Sequence, residues 1–234
     1  MATHDLIPPH QRRSSLWLLL ASLVLLQFGY PITSYGTAWI VVYLLLYGGV
    51  IAYSARAMAA NPRRYWPVVV ASVLLMGAGT WFAMQEDSPP AQIAMLSAIG
   101  LLQLSLLVTL LARLIRRPGH STTVDLLLVA MCAYLLMGGV FGVATALLEL
   151  AHPGSFIDNS NPALGVSWQT LFYGSYVTLA TLGYGDIVPV TDWARSLSSF
   201  EAVLGTLFVA VVIARLVGVA GLPDRDRTQA DAQP

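Results

Sequence analysis

Six long apolar runs, separated by short polar segments, make up most of this chain. An α-helix needs roughly 20 residues to cross a bilayer, and each run is about that long or longer. The runs cover approximately residues 15–33, 37–56, 65–84, 91–113, 122–150 and 194–219. The pattern predicts six membrane-spanning helices.

The first run has an alternative interpretation, because Arg12 and Arg13 precede it as basic residues precede the apolar part of a secretory signal. The apolar stretch from Leu16 to Phe28 continues into Tyr30 without a clear small-x-small cleavage site. We therefore interpret the first run as a helix and keep a cleaved signal as the alternative.

A shorter apolar segment, 168–179, lies between the fifth and sixth runs. Segment 151–165 before it is rich in proline, asparagine and glycine, which indicates an exposed turret. Ser167 is a good N-cap for a helix over 168–179. Twelve residues give about 18 Å, roughly half a bilayer, so this helix must re-enter and return. Irregular backbone at that depth is tolerated only inside protein or beside water.

Basic residues mark one side of the predicted membrane protein. All twelve are arginines, and eleven lie on one side if the amino terminus is cytoplasmic: Arg12, Arg13, Arg56, Arg63, Arg64, Arg113, Arg116, Arg117, Arg215, Arg225 and Arg227. Arg195 alone lies on the other side, whose segments are acidic and would concentrate cations. The positive-inside rule then predicts a multi-pass plasma-membrane protein with both termini in the cytoplasm.

Composition agrees with membrane lipids as the surroundings. Of 234 residues, 56% are hydrophobic and 10% are charged, and the mean hydropathy is +0.68. The net charge is zero, so a nucleic-acid partner has no electrostatic basis. Cys132 is the single cysteine, so neither a disulfide framework nor a cysteine zinc site is expected.

The segment after the short helix carries the most specific chemistry. Thr181–Gly185 can form an extended ribbon, because its glycines adopt backbone angles that other residues resist. Four such ribbons around an axis would stack rings of carbonyl oxygens that replace the water shell of a cation. With Asp186, the segment resembles the Thr-x-Gly-Tyr-Gly-Asp selectivity filter of tetrameric potassium channels.

This resemblance is strong over about 122–219 and rests on helix count and topology before that. It implies that K⁺ binds the Thr181 hydroxyl and the carbonyls of the filter, whose ion-binding residues are Thr181, Leu182, Gly183, Tyr184 and Gly185. It implies no organic cofactor, and because each chain has one filter it implies a homotetramer. A separate regulatory subunit is kept as a possible partner.

The fold expected from pattern and resemblance is an all-α membrane protein. Six transmembrane helices, a re-entrant pore helix and an extended filter would assemble with four-fold symmetry. The predicted parts are a cytoplasmic amino terminus, a four-helix voltage-sensor-like domain, a pore domain and a short disordered cytoplasmic tail: 1–14, 15–117, 121–221 and 222–234. We expect no ligand-binding domain in so short a tail.

Several residues around the filter depart from the family pattern or support it. Many relatives carry two tryptophans where this chain has Tyr173 and Gly174. Tyr173 can still reach Asp186 with its hydroxyl, whereas Gly174 cannot buttress the neighbouring Tyr184. Thr178 is kept and is a candidate to accept a hydrogen bond from the Tyr184 hydroxyl.

The sixth run contains candidate cavity and gate residues. Gly205 lies 22 residues after Gly183, the spacing of the family's inner-helix gating glycine. Both a hinge and simple close packing of helices explain this glycine. By resemblance, Thr206, Val209 and Ile213 would face an aqueous cavity.

Glu201 is a carboxylate in the apolar outer part of the sixth run, where a charge is costly and usually has a partner. We expect it to brace the filter through a hydroxyl or backbone group of the pore helix, with Thr170, Ser175 or Thr178 as candidates. The alternative is an interfacial carboxylate that reaches water. On the fifth run, Gly138 and Gly142 form a small-residue face for close helix packing.

The fourth run lacks the chemistry of voltage sensing. Segment 91–112 contains no charged residue, and Arg113, Arg116 and Arg117 cluster at its end. Moving one charge through 100 mV yields only about 2.3 kcal/mol, so a sensor needs several arginines within the field. We expect a supporting or lipid-facing role for the first four helices.

The leading hypothesis is a potassium-selective channel without enzymatic activity. A weakly selective cation channel is disfavoured because Tyr184 and both filter glycines are present. An intramembrane enzyme would need Ser175 beside His120 or His152, which belong to loops on opposite sides of the membrane. A non-conducting scaffold is the remaining alternative.

Overall fold

The computed structural model describes residues 9–29, 62–85, 88–115, 123–162 and 165–220. We number its helices and strands in chain order: α1 (Pro9–Phe28), α2 (Pro62–Met84), α3 (Pro89–Ile115), α4 (Thr123–Ala151), β1 (Phe156–Asp158), α5 (Trp168–Leu179), β2 (Ile187–Pro189) and α6 (Asp192–Ala220). The second apolar run, 37–56, and the predicted tail, 222–234, lie outside the described residues.

Four of the described helices are long and apolar enough to cross a membrane: Trp66–Met84, Pro89–Ile115, Thr123–Ala151 and Asp192–Gly218. The apolar part of α1, Ser14–Phe28, is shorter than these spans. A helical membrane protein is therefore confirmed, whereas the count of six spanning helices stays a prediction.

Helix α4 lies at the centre of the described structure, and 67% of its apolar stretch is buried. Helices α1, α3, α5 and α6 all contact it. Its small residues allow the shorter helix α5 to approach closely. A Cβ atom on Gly138 would lie 2.3 Å from a ring carbon of Tyr176, and one on Gly142 would lie 3.0 Å from the Phe172 ring. The predicted small-residue packing face is confirmed.

Helix α1 packs against α4 and also reaches α5. The Phe28 ring lies 5.4 Å from the Tyr176 ring, and the Tyr176 hydroxyl donates a hydrogen bond of 2.7 Å to the Leu135 carbonyl. Gln27 of α1 and Gln103 of α3 are buried, and both meet α4 at Gly139. The first apolar run thus packs directly against the helix that leads into the filter.

Helix α5 begins as the sequence predicts. Ser167 has extended backbone angles, φ −76° and ψ 156°, and its hydroxyl accepts a hydrogen bond of 3.2 Å from the Thr170 N–H. This bond satisfies one of the amide groups that a helix start leaves without a partner inside the helix. The N-cap prediction is confirmed.

Most of the turret is exposed, as its composition predicts, and it also contains a short strand. Strand β1 pairs antiparallel with β2, which follows the filter, and Ile157 lies opposite Val188. The side chain of Phe156 is buried. The carboxylate of Glu149 accepts hydrogen bonds from the Gly154 N–H at 2.8 Å and the Phe156 N–H at 2.9 Å. The strand and the buried Phe156 were not predicted, because the pairing partner lies about thirty residues further along the chain.

Candidate functional site

The end of α5 turns the chain into the filter. The Thr181 N–H donates to the Thr178 carbonyl and the Leu182 N–H donates to the Val177 carbonyl, both at 2.9 Å. This pair of bonds is a Schellman motif, which requires a left-handed residue after the helix cap. Thr181 takes that conformation with φ 57°. A β-branched residue rarely adopts it, so the base of the filter is a strained point of the backbone.

The filter segment, 181–185, is exposed in the single chain. Gly183 and Gly185 have φ values of 61° and 78°, and a Cβ atom on either would meet nothing within 4 Å. These two positions therefore require glycine for its backbone freedom and not for lack of space. Leu182 is 56% exposed and Tyr184 is 67% exposed in the single chain.

Asp186 is fixed on the side of the filter that faces α5. Its Oδ2 atom accepts a hydrogen bond of 2.7 Å from the Tyr173 hydroxyl, and its Oδ1 atom accepts one of 2.9 Å from the Ile187 N–H. The structure thus contains the contact between Tyr173 and Asp186 that the sequence suggested. The Ile187 side chain packs against Gly174, where an added Cβ atom would lie 3.2 Å from it. It occupies the side of α5 that the missing tryptophan leaves open.

The turret holds the outer end of the same segment, a contact that sequence reasoning missed. The Asn159 N–H donates to the Asp186 carbonyl at 2.7 Å, and the Asn159 side-chain amide donates to the Gly185 carbonyl at 2.9 Å. The predicted ion-binding residue Gly185 therefore has its carbonyl engaged by the turret. No local sequence signal marks Asn159, because its partners lie 26 and 27 residues away.

Glu201 lies behind the filter and is 1% exposed. Its Oε1 atom contacts the hydroxyl of Ser175, which is 2% exposed. Of the three candidate partners, the structure therefore selects Ser175, and the interfacial interpretation of Glu201 was wrong. The Ser175 hydroxyl also lies 2.8 Å from the Gly138 carbonyl. Ser175 is thus engaged on two sides, by Gly138 of α4 and Glu201 of α6.

Counting protons shows how these contacts are satisfied. A serine hydroxyl has one hydrogen, and the Gly138 carbonyl can only accept. Both contacts are hydrogen bonds when the Ser175 hydroxyl donates to the Gly138 carbonyl and accepts a hydrogen bond from a protonated Glu201 carboxyl. The Oε2 atom of Glu201 is buried and has no hydrogen-bond partner among the described residues. A neutral carboxyl tolerates such an oxygen far better than a carboxylate does.

Gly205 of α6 packs on the end of α5. A Cβ atom there would lie 2.3 Å from the Leu179 carbonyl oxygen. The Tyr134 hydroxyl of α4 donates to that same oxygen at 3.2 Å. Three helices therefore meet at the base of the filter, and this contact favours close packing over a hinge as the reason for glycine at 205.

The remaining predicted residues lie apart from this cluster. Thr178 gives its carbonyl to the turn after α5 and is half-buried. Val209 and Ile213 are 45% and 56% exposed on the single chain, and Thr206 is exposed next to them. Only 11% of the apolar stretch of α6 is buried, compared with 67% of the apolar stretch of α4. A cavity-facing role for this part of α6 stays a prediction.

A twelve-residue helix, a following segment with left-handed glycines and two flanking apolar helices are the parts of a pore-loop ion channel module. Residues 127–220 match a family model described as "Ion channel".

Two curated proteins are similar to this chain. One is the "Inward rectifier potassium channel Kirbac3.1" of Paramagnetospirillum magnetotacticum, 37% identical over 90 residues, which are 37% of this chain and 30% of that protein. The other is the "Two pore potassium channel c" of Oryza sativa subsp. japonica, 34% identical over 87 residues, which are 37% of this chain and 17% of that protein. Residues 127–220 are thus similar to ion channels, two potassium channels among them, and the chain spans less than a third of either relative's length.

Proposed function

We propose that this chain is the subunit of a potassium-selective channel that carries passive K⁺ flux across the plasma membrane. The observation that carries the proposal is the segment after α5. It combines a left-handed turn at Thr181, left-handed glycines at 183 and 185, and side chains at 182 and 184 exposed on the single chain. The names of the two relatives support potassium as the permeant ion.

A single filter per chain supports assembly as a homotetramer. One chain offers one edge of a pore, and an ion that loses its water shell needs carbonyls on all sides. The apolar surface of α6 supports assembly, because most of it is exposed on the single chain while the other spanning helices bury more. Exposed apolar area of this kind marks a surface that meets another protein or lipid.

Conduction in this proposal uses backbone oxygens as ion ligands. The carbonyls from Thr181 to Tyr184 and the Thr181 hydroxyl bind K⁺ in place of water. Helix α5 ends at the base of this segment. Its carbonyl end carries partial negative charge, which favours a cation there. The hydrogen bond from Tyr173 to Asp186 and the contact between Ser175 and Glu201 hold the segment from behind.

Gating in this proposal moves little charge across the membrane. Helix α3 has no charged residue from Pro89 to Ala112, so it carries no arginine ladder. The arginine pattern supports cytoplasmic termini, and lipids contact the outer helices. K⁺ is the bound species in the proposal, and a separate regulatory subunit is a possible further partner.

The proposal is tested by flux into liposomes that contain the purified protein. We expect K⁺ uptake without comparable Na⁺ uptake. Gly183→Ala is the matched variant, since a side chain there opposes the left-handed backbone while the Cβ atom meets open space. It should form tetramers that do not conduct. Equal K⁺ and Na⁺ uptake would indicate a weakly selective channel, and no uptake by wild type would indicate a scaffold.

A further inference from the structure

The turret and the outer end of the filter are joined by several hydrogen bonds. Asn159 contributes two, from its backbone N–H to the Asp186 carbonyl at 2.7 Å and from its side chain to the Gly185 carbonyl at 2.9 Å. The Val190 N–H donates to the Ser155 carbonyl at 2.8 Å, beyond the end of the strand pair. The strand pair therefore brings Asn159 to a defined place beside the filter.

The side chain of Asn159 has a fixed orientation in this arrangement. A backbone carbonyl can only accept, so the amide group that faces Gly185 must be the NH₂ group. The residue before Asn159 fixes the turn that follows, because the Asp158 carboxylate accepts from the Ser160 N–H at 2.8 Å and from the Asn161 N–H at 3.2 Å. Asn159 is therefore held by structure on both sides.

Within the described part of the chain, Asn159 is the residue found bonded to the Gly185 carbonyl. Gly185 has a left-handed φ of 78° and no Cβ atom, and the space beside it is open. A glycine in open space rotates its flanking peptides more easily than any other residue. The Asp186 side chain is held separately by Tyr173. The constraint on the Gly185 carbonyl thus comes from Asn159.

We propose, on the basis of the potassium-channel function above, that Asn159 is a positioning residue that ends the ladder of ion ligands at Tyr184. Its side-chain amide turns the Gly185 carbonyl toward the turret and so keeps the outer mouth of the filter in its conducting shape. Without this bond, the Gly185 peptide rotates as ions leave the filter, and the outer mouth of the filter then closes. Ions that occupy the filter oppose the rotation.

The test is the decay of K⁺ current through reconstituted channels at low and high K⁺ on the turret side. Asn159→Ala should decay about fivefold faster than wild type at low K⁺, the change expected for losing one hydrogen bond of about 1 kcal/mol. High K⁺ should restore the wild-type rate. A purely structural defect would lower the current amplitude but would not make its decay depend on K⁺.

Two further variants make the test decisive. Asn159→Asp has nearly the same shape but cannot donate, so it should also decay faster, and it decides the question if Asn159→Ala does not assemble. Asn161→Ala is the matched control, because the bond found for Asn161 comes from its backbone N–H. Its decay should match wild type. Wild-type decay in both Asn159 variants would overturn the proposal while K⁺ conduction itself stands, and a non-conducting wild-type protein would overturn both.

Discussion

Replacing Glu201 by alanine should weaken the tetramer and its conduction strongly, whereas glutamine should be close to wild type. Glu201 is fully enclosed, and its carboxyl contacts the Ser175 hydroxyl between α5 and α6. Alanine removes that contact and leaves a void beside a buried hydroxyl. A buried polar group that loses its partner costs about 1–3 kcal/mol. A tenfold change in an equilibrium constant corresponds to about 1.4 kcal/mol. The equilibrium constant for the assembled, folded state should therefore fall between a few-fold and about a hundredfold for each subunit.

Glutamine separates the shape of this side chain from its charge. The glutamine NH₂ group can donate to the Ser175 hydroxyl as a protonated carboxyl does, and Ser175 can still donate to the Gly138 carbonyl. The assay is tetramer melting and K⁺ flux for wild type, Glu201→Gln and Glu201→Ala. Ser175→Ala and the double alanine variant complete a mutant cycle, which isolates the coupling between the two side chains. Additive single effects, or an alanine variant that behaves like wild type, would refute the bracing role.

Two other predictions concern packing and gating. Gly205→Ala should lower the stability of the tetramer by about 1–3 kcal/mol, because its Cβ atom would lie 2.3 Å from a backbone oxygen. The Cβ atom of Gly218→Ala would meet open space, so this variant should be neutral in the same melting assay. Unchanged melting of Gly205→Ala would contradict the packing interpretation. The last variant neutralises Arg113, Arg116 and Arg117 together. It should reduce membrane insertion or expression more than it changes voltage dependence. A steep conductance–voltage curve that flattens in that variant would show that they sense voltage.

Sequence alone predicts the parts of this site that depend on local pattern. The half-length helix, its cap at Ser167 and the glycines of the filter follow from periodicity, turn chemistry and backbone freedom. The choice of an enclosed partner for Glu201 follows from the cost of a charge in an apolar helix, although only the structure selects Ser175. Each of these inferences uses residues that lie on one helix or in one short segment.

Contacts between distant segments could not be predicted in this way. The strands on either side of the filter are three residues each, too short to show an alternating pattern. Asn159 has the composition of an ordinary turn residue, and its role depends on the register of that strand pair. Likewise, the contact of Phe28 with Tyr176 joins the first helix to the pore helix across most of the chain. Such pairings are set by tertiary packing and not by local preference.

The most direct test of the central claim is the reversal potential of single reconstituted channels with K⁺ on one side and Na⁺ on the other. A filter of carbonyls from Thr181 to Tyr184 predicts a reversal potential displaced far toward the K⁺ equilibrium potential, and the displacement should vanish with the current in Gly183→Ala. A wild-type reversal potential near zero would show that K⁺ and Na⁺ pass equally, and it would contradict a potassium-selective filter.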